Sequence, residues 1–458
     1  MADTIAALAT PNGRSGIGII RLSGPDAVSI AAHLSCKPAG ELLPRSPYLV
    51  KLHSALNEVI DIALITYFAR PRSFTGEDVV EISCHGSPVV LRQVIDLCLE
   101  MGARLAEPGE FSLRALANGR IDLTEAEGIR DLIDAQTSAA ARQAVQQLSG
   151  EFSHRLQPLK DSLLDVIVLL ESALEFVEDD LPQTQSESLQ VRLSEIAGSI
   201  GDIAGTFEAG HLIREGLRVA LVGRPNVGKS SLFNALVGSE RAIVTDIAGT
   251  TRDQIHERFT INDIPVSLID TAGIRETSET VERIGVERSR RTIADADLVV
   301  VVLDAVEALT DEDRRILESV RELRYVVAVN KIDLIAGEVR EAKVVAAIRE
   351  VGPSTSLSAI SAKTGEGVDA FRSAMIEPFS HSETSDAGFL VTDARHRDLL
   401  VRAESEIKES LDLFRRNVSE EIVLMGLHNS LRYLGEITGE TTTEDMLTRI
   451  FSTFCIGK

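Results

Sequence analysis

The stretch Gly223-Arg224-Pro225-Asn226-Val227-Gly228-Lys229-Ser230 decides the fold of the middle of this chain. It stands between an apolar run at residues 219–222 and a helix-like segment at residues 232–236. A glycine-rich turn between a strand and a helix points backbone N–H groups and the helix N-terminus at a phosphate, the lysine adds a positive charge, and the serine hydroxyl can bind magnesium. The pattern predicts a nucleoside-triphosphate site in an α/β domain.

Four more motifs follow the phosphate loop in the order that a GTPase domain requires. They are Gly249-Thr250-Thr251-Arg252, Asp270-Thr271-Ala272-Gly273, Asn330-Lys331-Ile332-Asp333 and Ser361-Ala362-Lys363. The carboxylate of Asp333 can accept two hydrogen bonds from the ring N–H and the exocyclic amine of guanine, whereas adenine has no donor on that edge. The predicted nucleotide is therefore GTP.

The same motifs predict a role for each residue around the nucleotide. We expect Asn330 to add a base contact, Lys331 to lie across the ring with its aliphatic stem, and the backbone N–H of Ala362 to meet the guanine oxygen. Asp270 is predicted to support the magnesium ion from its outer coordination sphere, and Gly273 leaves space and an N–H group for the γ-phosphate.

Composition limits the remaining possibilities. A length of 458 residues with 44% apolar residues predicts about three domains. The net charge of −23 argues against nucleic-acid binding through a broad basic surface, so contact with RNA must be local or shared with a partner. No membrane span or secretory signal is evident, and the four cysteines lack metal-site spacing. We expect a cytoplasmic protein that does not contact a membrane.

Changes in hydrophobic periodicity predict a multidomain fold. Short β-like runs at residues 18–22, 62–67 and 79–82 indicate an α+β domain over residues 1–118. Helical periodicity begins near a capping-box pattern, Thr124-Glu125-Ala126-Glu127, and returns after the GTPase motifs. Because each helical half alone would expose its apolar face, residues 119–215 and 379–458 are predicted to form one all-α domain. An α/β P-loop GTPase domain of the Ras-like type, residues 216–378, is inserted between them.

The two apolar faces that carry this argument are defined by three- and four-residue steps. The first comprises Leu159, Leu163, Val166, Leu170 and Leu174, and the second comprises Leu400, Ile407, Leu411 and Phe414.

Motifs at both ends of the chain carry a family resemblance. They lie at residues 4–11, 18–21, 74–78, 108–111 and 454–458, and together with the GTPase motifs they resemble the MnmE (TrmE) family of tRNA-modification GTPases over nearly the whole chain. The resemblance implies a homodimer whose N-terminal domain binds a one-carbon tetrahydrofolate (5-formyl or methylene). It further implies a heterotetramer or larger complex with the flavoprotein MnmG (GidA). That complex installs a carboxymethylaminomethyl or aminomethyl group at carbon 5 of the wobble uridine of certain tRNAs.

Hydrolysis needs a residue other than the one that follows Gly273. That residue is Ile274, which cannot orient water as the glutamine of many GTPases does. The family pattern places this role on Glu282. Arg252 and Arg275 are candidate arginine fingers, although structural or dimer-contact roles are favoured.

Asn226 indicates a second ion. Its side-chain oxygen can lie beside the phosphates, where a monovalent cation could replace a partner's basic group. The family resemblance implies that this ion is potassium, and it also implies the ligands of both ions. These are Asn226, Thr250 and the backbone carbonyls of Thr245 and Ile247 for potassium, and Ser230 and Thr251 for magnesium.

The complete set of predicted nucleotide-binding residues combines the five motifs with the segment before Gly249. It comprises Asn226, Val227, Gly228, Lys229, Ser230, Ser231, Thr245, Asp246, Ile247, Ala248, Gly249, Thr250, Thr251, Asp270, Thr271, Ala272, Gly273, Asn330, Lys331, Ile332, Asp333, Ser361, Ala362 and Lys363.

The resemblance also implies folate contacts. Arg21, Glu81 and Lys458 match family positions, while Arg120 stands where the family pattern can carry lysine. Arginine keeps the charge but changes the donor geometry. Cys455 is either a nucleophile or a small structural residue, and with no evident activating base a structural role is favoured.

Two other functions remain open at this point. A regulatory GTP switch in ribosome assembly would use the same motifs, although its flanking domains are usually basic RNA-binding modules. A scaffold that binds GTP without hydrolysing it is the third possibility.

Overall fold

A computed structural model describes residues 3–175, 183–238, 257–269, 296–335, 356–379, 388–416 and 418–457. The chain divides into two compact units. The first comprises Met1–Ile133, Val145–Gly198 and Arg402–Lys458, and the second comprises Asp134–Ala144 and Ser199–Val401. Within the described ranges, no helix has the length and apolar character needed to cross a membrane.

The elements are numbered here in chain order. The strands are β1 (Ile5–Leu8), β2 (Ile17–Ser23), β3 (Pro47–His53), β4 (Val59–Phe68), β5 (Val79–His85), β6 (Arg104–Leu105), β7 (Leu217–Val222), β8 (Glu257–Ile261), β9 (Ile264–Ile269), β10 (Leu298–Asp304), β11 (Tyr325–Asn330) and β12 (Leu357–Ala359). The helices are α1 (Ala27–Leu34), α2 (Pro88–Glu100), α3 (Glu110–Ala117), α4 (Leu123–Asp134), α5 (Ser138–Leu148), α6 (Glu151–Glu175), α7 (Gln183–Gly205), α8 (Phe207–Glu215), α9 (Lys229–Val237), α10 (Asp311–Ser319), α11 (Val368–Ile376), α12 (Ala394–Arg415), α13 (Glu420–Thr438) and α14 (Glu444–Phe451).

A mixed six-stranded sheet forms the N-terminal part of the first unit. Its strand order is β3-β4-β5-β2-β1-β6, and neighbours are antiparallel except β1 and β6. Helices α1 and α2 pack against the sheet, and their apolar faces meet the buried strand residues in one core. The three predicted β-runs lie in β2, β4 and β5, which confirms the α+β prediction.

Helices α6 and α13 of the first unit pack against each other. Lys160 of α6 forms an ion pair with Glu440, which lies two residues after the end of α13. His428 Nε2 of α13 lies 3.0 Å from Glu171 Oε1 of α6. The middle of the predicted α6 face is buried, and all four residues of the predicted α12 face are buried. That residues 119–215 and 379–458 form one domain stays a prediction. The domain boundaries proposed at residues 118, 215 and 378 stay predictions.

The start of α4 differs from the predicted capping box. The Glu125 backbone N–H donates to Asp122 Oδ1 (2.8 Å), and the Asp122 N–H donates to Glu125 Oε2 (2.7 Å), so the box begins at Asp122. Aspartate caps a helix as well as threonine does. Thr124 is buried, and its hydroxyl donates to Asp122 Oδ1.

The second unit contains a sheet with the order β12-β11-β10-β7-β9-β8. Every neighbouring pair is parallel except β8 and β9. Strands β7, β10 and β11 are buried along nearly their whole length, as valine-rich strands covered on both faces are. In such a sheet, ligands bind at the carboxyl ends of the strands. The predicted motifs at residues 223–230, 330–333 and 361–363 follow β7, β11 and β12 at this edge.

Candidate functional sites

The phosphate loop connects the end of β7 at Val222 to the start of α9 at Lys229. Gly228 has a left-handed backbone (φ 98°), and a Cβ atom there would lie 2.2 Å from Asn330 Nδ2. At Gly223 (φ 154°), a Cβ atom would lie 2.5 Å from the Val302 carbonyl oxygen. Both positions therefore require glycine, because a side chain would meet the backbone of β10 at Gly223 and the buried side chain of Asn330 at Gly228.

Lys229 folds its side chain back over this loop. Its Nζ atom donates to the carbonyl oxygens of Gly223 (2.8 Å) and Arg224 (2.7 Å). Burial lowers the pKa of the Lys229 ammonium, and the negative charge of Glu312 partly opposes that effect. The carbonyl oxygens of the loop therefore hold the Lys229 ammonium against the loop.

Asn330, which ends β11, joins the phosphate loop to the loop after β12. The side chain is buried; Nδ2 donates to the Val227 carbonyl (3.0 Å), and Oδ1 accepts from the Ala362 N–H (2.9 Å). The predicted contacts of Asn330 and Ala362 with guanine stay predictions. The amide of Asn330 has a second N–H group for such a contact.

Lys331 connects the base-recognition motif to the phosphate loop by a second route. Its Nζ atom donates to the Asn226 carbonyl oxygen (2.7 Å) and pairs with Asp304 Oδ2 (2.6 Å). The aliphatic stem consequently runs from the end of β11 to the phosphate loop, while its predicted place across a bound base stays a prediction.

Asp333 lies in a short 3₁₀ turn, Ile332–Leu334, and is exposed. Its Oδ1 atom accepts a hydrogen bond from the hydroxyl of the buried Ser361 (2.7 Å). This bond orients the carboxylate that is predicted to distinguish guanine from adenine.

A second candidate site lies on the mixed sheet of the first unit. Arg21 and Glu81 face each other on β2 and β5, and Glu81 Oε1 accepts from both Nε (3.0 Å) and Nη2 (2.7 Å) of Arg21. Arg21 Nη1 donates to the carbonyl oxygen of Gly457 (3.1 Å), next to the predicted contact Lys458. The guanidinium carbon lies 5.8 Å from the ring centroids of Phe74 and Phe111.

Arg120 contacts the turn that carries Phe74. Its Nε atom donates to the Ser73 carbonyl (3.3 Å), and its Cγ atom lies 3.2 Å from where a Cβ atom at Gly76 would be. Arg120 therefore supports this turn, while its direct folate contact stays a prediction.

A buried ion cluster, missed by the sequence analysis, holds the same turn. Arg114 is almost completely buried and pairs with Glu77 (3.0 Å), Glu110 (3.0 Å) and Asp3 (2.9 Å). Burial alone would lower the pKa of Arg114, but the carboxylates around it raise it. In the sequence, nothing distinguishes Arg114 from an exposed arginine on a helix.

Comparisons with known proteins cover the whole chain. A family model described as "MnmE helical domain" matches residues 123–455, and one described as "GTP-binding protein TrmE N-terminus" matches residues 4–120. The chain is 42% identical to the tRNA modification GTPase MnmE of Aquifex aeolicus over 460 residues, 100% of both chains. It is 43% identical to that of Koribacter versatilis over 461 residues, which cover 100% of this chain and 99% of the relative. The chain belongs to the MnmE family.

Membership in the MnmE family confirms three predictions. These are the family resemblance drawn from the two ends of the chain, the multidomain fold class, and a GTP-hydrolysing enzyme. The individual site residues stay predictions. The structure describes Asn226, Val227, Gly228, Lys229, Ser230, Ser231, Asn330, Lys331, Ile332, Asp333, Ser361, Ala362 and Lys363. Hydrogen bonds join Asn330 to Val227 and Ala362, Lys331 to Asn226, and Ser361 to Asp333.

Several predicted residues of the MnmE-type sites lie outside the described residues. They are Thr245, Asp246, Ile247, Ala248, Gly249, Thr250, Thr251, Asp270, Thr271, Ala272, Gly273, Glu282 and Lys458. Cys455 is described and exposed, and its carbonyl oxygen accepts from the Gly109 N–H (3.5 Å).

Proposed function

We propose that this protein is a potassium-stimulated GTP hydrolase that modifies the wobble uridine of certain tRNAs together with the flavoprotein MnmG. In this proposal a one-carbon tetrahydrofolate provides carbon for a carboxymethylaminomethyl or aminomethyl group at carbon 5. The observation that carries it is the pair of links from the base-recognition motif to the phosphate loop, through Asn330 to Val227 and through Lys331 to Asn226. A nucleotide contacts both ends of such a site at once.

The chemistry of the described groups supports GTP and magnesium as ligands. Backbone N–H groups at the start of α9 and the ammonium of Lys229 suit the phosphates, and the exposed hydroxyl of Ser230 suits magnesium. The carboxylate of Asp333 suits the two donors of guanine.

Potassium would bind beside the phosphates through the exposed side chain of Asn226, whose left-handed backbone (φ 63°) sets the direction in which that side chain leaves the loop. The other proposed ligands are Thr250 and the carbonyl oxygens of Thr245 and Ile247, and Glu282 is the proposed residue that orients water. A fixed positive charge at that point stabilises the charge that develops on the transferred phosphoryl group.

The site around Arg21 supports folate binding. A guanidinium binds carboxylates, a glutamate can accept from the amino groups of a pterin, and the partly buried ring of Phe74 offers a flat apolar surface. Arg120 and Lys458 complete the proposed contacts. When bound, the folate supplies the one-carbon unit, and the role of these residues is to hold it in place.

The partners follow from the proposed reaction. The protein acts on tRNA in the cytoplasm as a homodimer, within a heterotetramer or larger complex with MnmG. Because the chain carries a net charge of −23, the basic surface for tRNA comes from local groups or from the partner.

The hydrolysis step is tested by measuring the GTPase rate in potassium against sodium at equal ionic strength. We expect potassium to accelerate the wild type, and Glu282→Gln to lose about a hundredfold or more in kcat while it retains nucleotide. Glu322→Gln, an exposed glutamate before β11, is the matched control and should match the wild type. Equal rates in both ions would remove the cation from the mechanism.

The modification step is tested by mass analysis of wobble uridine in tRNA from cells that lack this chain. Complementation with the wild type should restore the modified base, and complementation with Asp270→Ala should not. Purification of the tagged full chain should recover a flavoprotein and reduced folate. Recovery of ribosomal particles with unchanged tRNA would instead favour the regulatory switch.

A further inference from the structure

The side chain of Arg224, the second residue of the phosphate loop, is held by two carboxylates outside the loop. Its Nε atom donates to Asp313 Oδ1 (2.8 Å), and Nη2 donates to Glu307 Oε2 (3.0 Å). The guanidinium is only 15% exposed. Arg224 therefore connects the phosphate loop to α10 and to the segment before it.

Asp313 is a firm anchor for this contact. It is 2% exposed, and its second oxygen accepts from the Thr310 backbone N–H (2.9 Å) and the Thr310 hydroxyl (2.8 Å), which closes a capping box at the start of α10. A buried carboxylate that already stabilises a helix end cannot move without losing those bonds.

The contact also bears on Lys229. The ammonium of Lys229 is held by the carbonyl oxygens of Gly223 and of Arg224, whose own side chain is anchored on Asp313 and Glu307. A shift of this part of the loop would therefore move the Lys229 ammonium, which is proposed to contact the phosphates.

Charge gives the contact a second effect. The segment after β10 is acidic and lies against the loop, since Glu307 and Asp313 contact Arg224 at 3.0 Å and 2.8 Å. Negative groups beside a phosphate site oppose the binding of a phosphate anion. Arg224 neutralises two of them, Asp313 and Glu307, on the side from which they face the loop.

We propose that Arg224 is a positioning residue: it fixes the phosphate loop on α10 and shields the nucleotide phosphates from the acidic segment there. The proposal rests on the GTP site proposed above. It assigns Arg224 no contact with the nucleotide, so its effect is expected in nucleotide affinity rather than in the chemical step.

The test measures GDP affinity and GTPase kinetics of the full chain for four variants. Arg224→Gln should weaken GDP binding about tenfold, in the lower part of the usual range for coupling between sites, with kcat changed less than KM. Arg224→Lys, which keeps the charge but cannot reach both carboxylates with one planar fork, should show a smaller loss. The double variant Arg224→Gln/Asp313→Asn should recover part of the affinity, because the unshielded charge is removed.

Arg314→Gln is the matched control. It removes an arginine from an exposed ion pair with Asp311 on the same helix, and it should bind GDP as the wild type does. The loss of GDP affinity in Arg224→Gln should also be smaller at high salt, because salt screens the repulsion between the exposed carboxylates and the phosphates.

Three results would overturn the inference: wild-type affinity in Arg224→Gln, no recovery in the double variant, or an unchanged affinity with a large loss of kcat, which would make Arg224 an arginine finger. If Arg224→Gln does not fold, as judged by circular dichroism, wild-type affinity in Arg224→Lys overturns it. Failure of the wild type itself to retain GDP would instead overturn the proposed function.

Discussion

Replacing Gly228 by alanine is predicted to weaken GDP binding about a hundredfold. The added Cβ atom would lie 2.2 Å from Asn330 Nδ2, and the buried Asn330 cannot retreat without breaking its bonds to Val227 and Ala362. Two neutral hydrogen bonds contribute about 1 kcal/mol each, and the left-handed backbone of an alanine costs about 1 kcal/mol more. The total of about 3 kcal/mol corresponds to about a hundredfold in affinity.

The assay is a titration of the full chain with fluorescent GDP in magnesium and potassium. Gly365→Ala is the matched control, because Gly365 also has a left-handed backbone (φ 84°) but nothing lies within 4 Å of its added Cβ atom. It should lose at most about fivefold, which is the backbone cost alone. Equal losses in the two variants would refute the reasoning, because the clash with Asn330 would then contribute nothing.

Three further predictions concern other parts of the chain. Arg214→Gln should lower the free energy of unfolding by about 2 kcal/mol at pH 7. Burial alone would raise the pKa of Asp393, but His396 and Arg214 hold that pKa well below its usual range. The stabilisation is therefore present above the unfolded-state pKa of about 4 and is lost as pH falls through the lower folded-state pKa. The free energies of unfolding of variant and wild type should converge at that acid pH. Arg21→Met should abolish retention of reduced folate in dialysis and leave GDP affinity unchanged, and a loss of both would show that Arg21 acts on folding instead. The exposed thiols of Cys36 and Cys455 should react quickly with an aromatic disulfide. The thiols of Cys84 and Cys98 should react slowly, because burial raises the pKa of each to about 12. Peptide mass analysis of the labelled chain distinguishes the two pairs.

The phosphate loop could be predicted from sequence because its chemistry is local. Gly228 and Lys229 act through the backbone and charge of adjacent residues, and the flanking apolar runs identify the strand and the helix. Three of the six strands of the mixed sheet, the buried middle of the α6 face and the buried face of α12 followed from periodicity in the same way.

Contacts across the fold could not be predicted, because periodicity indicates which face is buried but not what covers it. Arg21 and Glu81 are 60 positions apart, and their pairing depends on the register of β2 against β5. The pairing of Arg224 with Asp313, 89 positions away, depends in the same way on how the loop after β7 lies against α10. The capping box was misplaced by two residues because Asp122 and Thr124 are both good helix caps, and only the observed hydrogen bonds distinguish them.

Calorimetric titration of the full chain with GDP and with ADP shows whether Asp333 selects a guanine nucleotide. We predict that GDP binds and that ADP binds about a thousandfold more weakly or not at all, because adenine offers the Asp333 carboxylate neither of the two donors that guanine offers. Asp333→Asn should weaken GDP binding. Equal binding of ADP and GDP, or retention of neither, would contradict the account.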